Sequence, residues 1–200
     1  SVTPLPETRD EALATAKAVG ADVAKDVFLG PSASRSRVLA AKLEDKRLVA
    51  FATHGLLPGE LPRLTKPALA MAYEGAGLTD SLLISDDIIG LKLNADWVLL
   101  SACNTGVAEA GGLETLSGLA RAFFAAGARA VLATQWAVES ESAKQLVSLT
   151  MSAFAASDKP VNRDQALAQA QRAMASGEMG ALYQHPYFWA AYFLMGEPQR

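Results

Sequence analysis

The stretch that most constrains the fold runs from Asp96 to Gly106 and reads D-W-V-L-L-S-A-C-N-T-G. Trp97 to Ser101 are apolar or small and partly β-branched, without polar alternation, as expected of a strand covered on both faces of a sheet. The run leads straight into Cys103, the only cysteine of the chain, and Asn104, Thr105 and Gly106 then break the pattern. A lone thiol is thereby delivered to the carboxyl end of a buried strand, where α/β proteins keep their reactive groups. On the residue alone, packing as a small buried hydrophobe is the commoner role of a free cysteine. The reactive reading needs a base.

The rest of the chain supplies companions for that strand. Thr8 and Glu11 have the form of a capping box, and Leu13, Ala16 and Val19 share a face before Gly20, predicting a helix over about residues 8–19. Asp22 to Leu29, with Val23, Val27 and Phe28, predicts a strand that ends at Gly30-Pro31, and residues 34–44 predict a second helix. The run L-V-A-F-A-T at 48–53 is continuous rather than alternating, is expected in the middle of a parallel sheet, and ends in His54-Gly55. Pro58, Pro62 and Pro67 mark 56–66 as an irregular surface loop. Residues 67–73 and 81–84 read as an antiparallel hairpin beside the main sheet, and Ser85, Asp86 and Asp87 cap a short helix closed by Gly90. A glycine-containing loop at 107–112 precedes a helix over 115–127 and a strand over 130–136. Helices over about 139–155 and 162–176 and an aromatic-rich final strand over 187–195 complete the chain. Strands alternating with helices predict one α/β domain over residues 1–200, with a mostly parallel sheet.

Composition narrows the function classes. Two hundred residues, half of them hydrophobic and a fifth charged, suffice for a large core without disulfides or metal. A net charge of -3 and a pI near 5.4 speak against a nucleic-acid or membrane-surface binder. One cysteine excludes an intrachain disulfide framework and a cysteine-based zinc site, and two histidines make no metal cluster, so no metal or other cofactor is expected. No apolar run approaches the roughly 18 residues that a bilayer span needs, and the start carries no basic-then-apolar signal, so the cytoplasm is the expected compartment. The Pro-rich opening reads as the edge of a piece trimmed from a longer protein.

A candidate base ends another of the apolar runs. Two inner strands are expected to end in reactive side chains, His54 on one and Cys103 on the other, 49 residues apart. Neighbouring strands lie about 5 Å apart, so an imidazole and a thiol at the same end of adjacent strands come within one contact.

The motifs around this pair carry a resemblance. F-A-T-H-G at 51–55, L-S-A-C-N-T-G at 100–106, G-L-A-R-A-F-F-A-A-G at 118–127, Q-W-A-V at 135–138 and the ending H-P-Y-F-W-A-A-Y-F-L-M-G-E-P follow one another along nearly the whole chain. Together they resemble the CHAT domain, a family in the clan of caspase-like cysteine peptidases that also holds separase, gingipain and legumain. In caspases, too, the histidine lies roughly 50 residues upstream of the nucleophile.

The resemblance implies a three-layer caspase-like sandwich with helices on both faces of the sheet and a small side hairpin. It also implies that this chain is the catalytic half, with a non-catalytic half and TPR repeats expected upstream. The implied activity is a cysteine endopeptidase that cleaves protein or peptide substrates without a cofactor, under regulation by TPR or partner segments. In it, Cys103 is the nucleophile, His54 the base, and the backbone N–H groups of Gly55 and Cys103 the oxyanion donors. Thr134, Gln135 and Trp136 would wall the pocket for the residue before the cut, with Glu139 as an acidic floor where CHAT sequences commonly carry aspartate.

Taken as residues alone, Trp136 also reads as core and Glu139 as a helix N-cap or first-turn acid. His185 reads as structural, Trp97 and Trp189 as core, and Glu109 and Glu114 as solvated loop charges. Two rival functions differ in class. One is a catalytically silent caspase-like scaffold for protein contacts, against which the joint presence of His54, Gly55 and Cys103 counts. The other is a thiol acyltransferase or hydrolase of small acyl substrates, weakened by the lack of a G-x-G-x-x-G after a strand.

Overall fold

The computed structural model describes residues 8–75, 77–100, 112–136, 138–156 and 161–197. Its frame is a four-stranded sheet of β1 (Leu48–Phe51), β5 (Trp97–Leu100), β6 (Ala130–Thr134) and β7 (Tyr192–Gly196), in the order β1-β5-β6-β7. β1, β5 and β6 run parallel and β7 is antiparallel. Every residue of β5 and β6 is buried, as their unbroken apolar runs require. Alternate side chains serve two cores. Val98, Leu100, Val131 and Ala133 pack on one side with Leu119, Phe123 and Ile88, from α5 (Gly112–Ala126) and α4 (Ser85–Gly90). Trp97, Leu99 and Leu132 pack on the other with Leu146, Met151, Leu167 and Met174, from α6 (Ser140–Ala155) and α7 (Arg163–Ser176). α1 (Thr8–Ala18) lies against α6 on this second side. Helices therefore cover both faces, which gives the expected three layers.

A second sheet is built on the expected hairpin. β3 (Ala68–Ala70) and β4 (Leu82–Ile84) pair antiparallel, and β2 (Gly55–Leu56) adds to the outer side of β3, in the order β2-β3-β4. The proline-rich stretch after β2 is irregular, yet it inserts Leu64 into a small core with Leu56, Ala68 and Leu82. α4 begins where expected: the Asp87 carboxylate accepts the Ile84 N–H at 3.2 Å and also holds Arg35 through paired hydrogen bonds of 2.9 and 2.6 Å.

The amino end of the main sheet is tied by charge. Asp96, 1% exposed and immediately before β5, accepts from Arg129 at 2.7 Å, from Arg163 at 3.1 Å, and from Arg47. Arg163 is itself fully buried, and its guanidinium lies over the rings of Trp97 and Phe154. Burial pushes the Arg163 pKa down, and the charge of Asp96 pulls it back up.

Four expectations change. Asp22 to Leu29 is no strand. Asp22 accepts the Ala24 N–H at 3.0 Å and caps a single helical turn, α2 (Val23–Asp26), after which Val27 and Leu29 are extended without a ladder. The helix expected over 34–44 shortens to α3 (Arg35–Ala40), capped by the Ser34 hydroxyl on the Arg37 N–H, and Ala41 is already extended. β1 lies at the sheet's edge rather than its middle, among the described residues, and its burial alternates, with Ala50 exposed. The final strand starts at Tyr192 and not at 187, because Pro186 opens a 3-10 turn over Pro186–Phe188.

Candidate active site

The candidate residues stem from the carboxyl ends of the three parallel strands. The chain leaves β1 at Phe51, turns through Ala52, Thr53 and His54, and enters β2 at Gly55. His54 is thus the joint between the two sheets, and it is 9% exposed. Its backbone is fixed by Ala70 of β3. The Ala70 N–H donates to the His54 carbonyl at 2.9 Å, and the Ala70 carbonyl accepts the Thr53 hydroxyl at 2.5 Å.

That anchoring also orients Gly55. Along a strand, successive residues turn their N–H and C=O groups to opposite neighbours. Ala70 faces the β2 side, while the Met71 N–H bonds to Ser81 on the β4 side at 2.7 Å. Leu69 therefore faces β4, and its register partner Gly55 turns its own N–H away from β3, toward the outer side of β2. An amide so directed, one residue after a buried histidine, is suited to donate to a developing oxyanion.

Across the sheet, β1 pairs with β5 at an offset of 49 residues, from Leu48↔Trp97 to Phe51↔Leu100. β5 pairs with β6 at an offset of 33, from Val98↔Val131 to Leu100↔Ala133. Cys103 and its backbone N–H lie outside the described residues, as do the 107–111 loop and Glu109, while Glu114, expected in a loop, falls within α5. The strand that leads to Cys103 sits between β1 and β6.

β6 ends at Thr134, which is buried, and Gln135 and Trp136 follow it. Gln135 is exposed and its N–H donates to the Ala191 carbonyl at 2.9 Å. Trp136 is half-buried against the core below, and its indole N–H donates to the Tyr187 carbonyl at 3.1 Å. Glu139 turns onto its own helix. Its two carboxylate oxygens accept the N–H groups of Glu141 at 3.0 Å and Ser142 at 2.8 Å, making it the N-cap of α6. His54, Gly55, Gln135 and Trp136 thus all lie along the carboxyl edge, while Glu139 serves the start of a helix three residues beyond.

Two features were not legible in the sequence. The outward N–H of Gly55 depends on the pairing of β2 with β3, which no short motif announces. His185 does more than precede a proline: its Nδ1 accepts the Tyr187 N–H at 3.2 Å and caps the 3-10 turn that abuts Trp136. Among the described residues, no group of three or more His, Cys, Asp or Glu is arranged to hold a metal, and no helix is long and apolar enough to cross a membrane.

Comparison with known proteins adds two findings. The CHAT domain family matches residues 1–197. Tetratricopeptide repeat protein 28 of Mus musculus is 27% identical over 225 aligned residues, covering 96% of this chain and 9% of the mouse protein. The chain therefore spans about a tenth of the length of that curated relative.

Proposed function

The chain belongs to the CHAT domain family, and from that premise we propose that it is a cysteine endopeptidase acting on protein substrates through His54 and Cys103. The observation that carries the reading is the register. The 49-residue offset between β1 and β5 equals the separation of His54 from Cys103, each three residues past a paired position, Phe51 and Leu100. Adjacent parallel strands thus lead, three residues past their paired ends, to a base and to a nucleophile, which supports a dyad.

A cysteine thiol with a pKa of roughly 8.5 is only a few per cent thiolate at neutral pH, so the imidazole of His54 takes its proton. The Cys103 sulfur then bonds to the scissile carbonyl carbon, and the carbonyl electrons move onto oxygen. The N–H groups of Gly55 and Cys103 stabilise that oxyanion. As the tetrahedral species collapses, the C–N bond breaks and the leaving amine takes the proton from His54. A water, deprotonated by His54, hydrolyses the thioester and releases the acid and the free thiol. No carboxylate partner is assigned to His54.

Gln135 and Trp136 line the pocket for the residue before the cut. A carboxylate has about four acceptor sites. Glu139, with two N–H groups already bound, keeps the capacity to meet a basic substrate residue. Residues 1–200 form one catalytic unit, and the tetratricopeptide name of the mouse relative supports regulation by repeat segments or partners outside it.

A peptidyl electrophile directed at thiols tests the dyad. Cys103 of the wild-type chain is expected to be alkylated at neutral pH, and His54→Ala to slow that alkylation by roughly 10²-fold or more. Equal rates in the two proteins would remove His54 from the mechanism.

A further inference from the structure

Beside Trp136 lies a segment whose features the dyad does not use. Residues 180–196 read G-A-L-Y-Q-H-P-Y-F-W-A-A-Y-F-L-M-G and contain no Asp, Glu, Lys or Arg. Two large apolar side chains stay in solvent there, Leu182 at 66% and Tyr187 at 46% exposure. An uncharged surface stretch with an exposed aromatic ring is suited to take an apolar group.

The segment is also held rigidly. The Tyr187 carbonyl accepts the Trp136 indole N–H, and the Tyr187 N–H donates to His185 Nδ1. The Trp189 indole N–H donates to the Gln184 carbonyl at 3.2 Å. The Tyr187 and Tyr183 rings meet Phe188 edge-on, at centroid distances of 5.4 and 5.3 Å. A surface ordered before binding loses less conformational entropy when a ligand arrives.

Its place follows from the register. The 33-residue offset between β5 and β6, which ends at Leu100↔Ala133, equals the separation of Cys103 from Trp136 in the sequence. The segment adjoins residues 135 and 136 through the Tyr187 and Ala191 carbonyls, toward β7, which lies on the far side of β6 from β5. Crossing the carboxyl edge from β1, one meets His54, then the end of β5, then Trp136, then Tyr187.

We propose that Tyr187 is a specificity-determining residue, which together with the Trp136 indole forms an aromatic ledge for an aromatic or large aliphatic side chain near the bond to be cut. His185 acts as a positioning residue for it. The inference rests on the dyad reading above and names the substrate class: polypeptides carrying an apolar residue close to the scissile bond.

The test uses the whole chain and a pooled library of acyloxymethyl ketone peptides varied at each position, with alkylation of Cys103 read by mass spectrometry. For the wild type, one position is expected to favour Phe, Tyr, Trp or Leu over Ser by about tenfold. Tyr187→Ala is expected to bring that ratio close to one, and Tyr187→Phe to preserve it. His185→Ala lowers the ratio, and His185→Asn, whose side-chain oxygen can cap the turn, restores it. An apolar preference that is missing in the wild type, or equally strong in Tyr187→Ala, overturns the ledge while Cys103 is still alkylated. Failure of wild-type Cys103 to react with any peptide overturns the dyad, and the ledge with it.

Discussion

Asp96 meets three guanidiniums, and their exposures differ widely. The side chains of Arg47 and Arg129 are 70% and 46% exposed, while that of Arg163 is fully buried. Removing a buried carboxylate leaves Arg163 as an uncompensated charge, whereas removing a mostly solvated arginine leaves Asp96 two partners. Asp96→Ala is therefore expected to cost roughly 3–5 kcal/mol. Arg47→Ala is expected to cost about 1 kcal/mol or less. Urea unfolding of the two variants decides between this account and a surface ion pair, which would give equal small losses. In the sequence Asp96 was visible only as the polar residue heading an apolar strand. Its partners stand at 47, 129 and 163, and the fold alone gathers them. His54 was legible because a polar residue ends an apolar run there, whereas Gly55 was named through the family resemblance and the direction of its N–H came only with the β2–β3 pairing.

Among elements, those whose evidence is local were readable. β5 and β6 are unbroken apolar runs, and α5 ends on Gly127, whose φ of +110° and whose missing Cβ, which would lie 2.2 Å from the Leu93 carbonyl, leave room for nothing larger. The misread elements had strand-like composition and a local hydrogen bond that outweighed it. Val23 to Asp26 is held helical by the Asp22 carboxylate, and Pro186 to Phe188 by His185 and the proline itself. The edge position of β1 could not be read at all, because an apolar run does not tell how many neighbours its strand has. The start of α6 carries a test of Glu139. With both carboxylate oxygens on backbone N–H groups, Glu139→Ala is expected to lower stability by about 1 kcal/mol and Glu139→Gln by less. A thermal melt reports the loss, and no change in either variant would deny the cap.

For the molecule as a whole, the two cores leave β5 and β6 covered on both faces and paired on both edges, while β1 is paired on one edge among the described residues. Hydrogen exchange is expected to reflect this: the amides of Val98 to Leu100 and Val131 to Ala133 should be the slowest, and those of β1 faster. Comparable protection of β1 would mean that its outer edge is covered. The layered α/β architecture was the most legible level, since alternation of runs and helices specifies it before any register is known. The register itself, with its offsets of 49 and 33, was not, because it depends on how the intervening segments fold.

The antiparallel pairing of β7 on β6 also sets an order in time. Ala130 finds its partner in Gly196 and Thr134 in Tyr192, so β6 is made well before the strand that closes its outer edge. At translation rates of about 5–20 residues per second, the wait between Ala130 and Gly196 is roughly 3–13 s. Through that interval one of the most apolar strands of the chain has an open edge, a template for pairing with another nascent chain. The two helices synthesised in the meantime, α6 and α7, pack over one face of β6 but cannot satisfy its edge. The final aromatic stretch, whose first turn abuts Trp136, is therefore also what closes the β6 edge of a newly made molecule to misassembly.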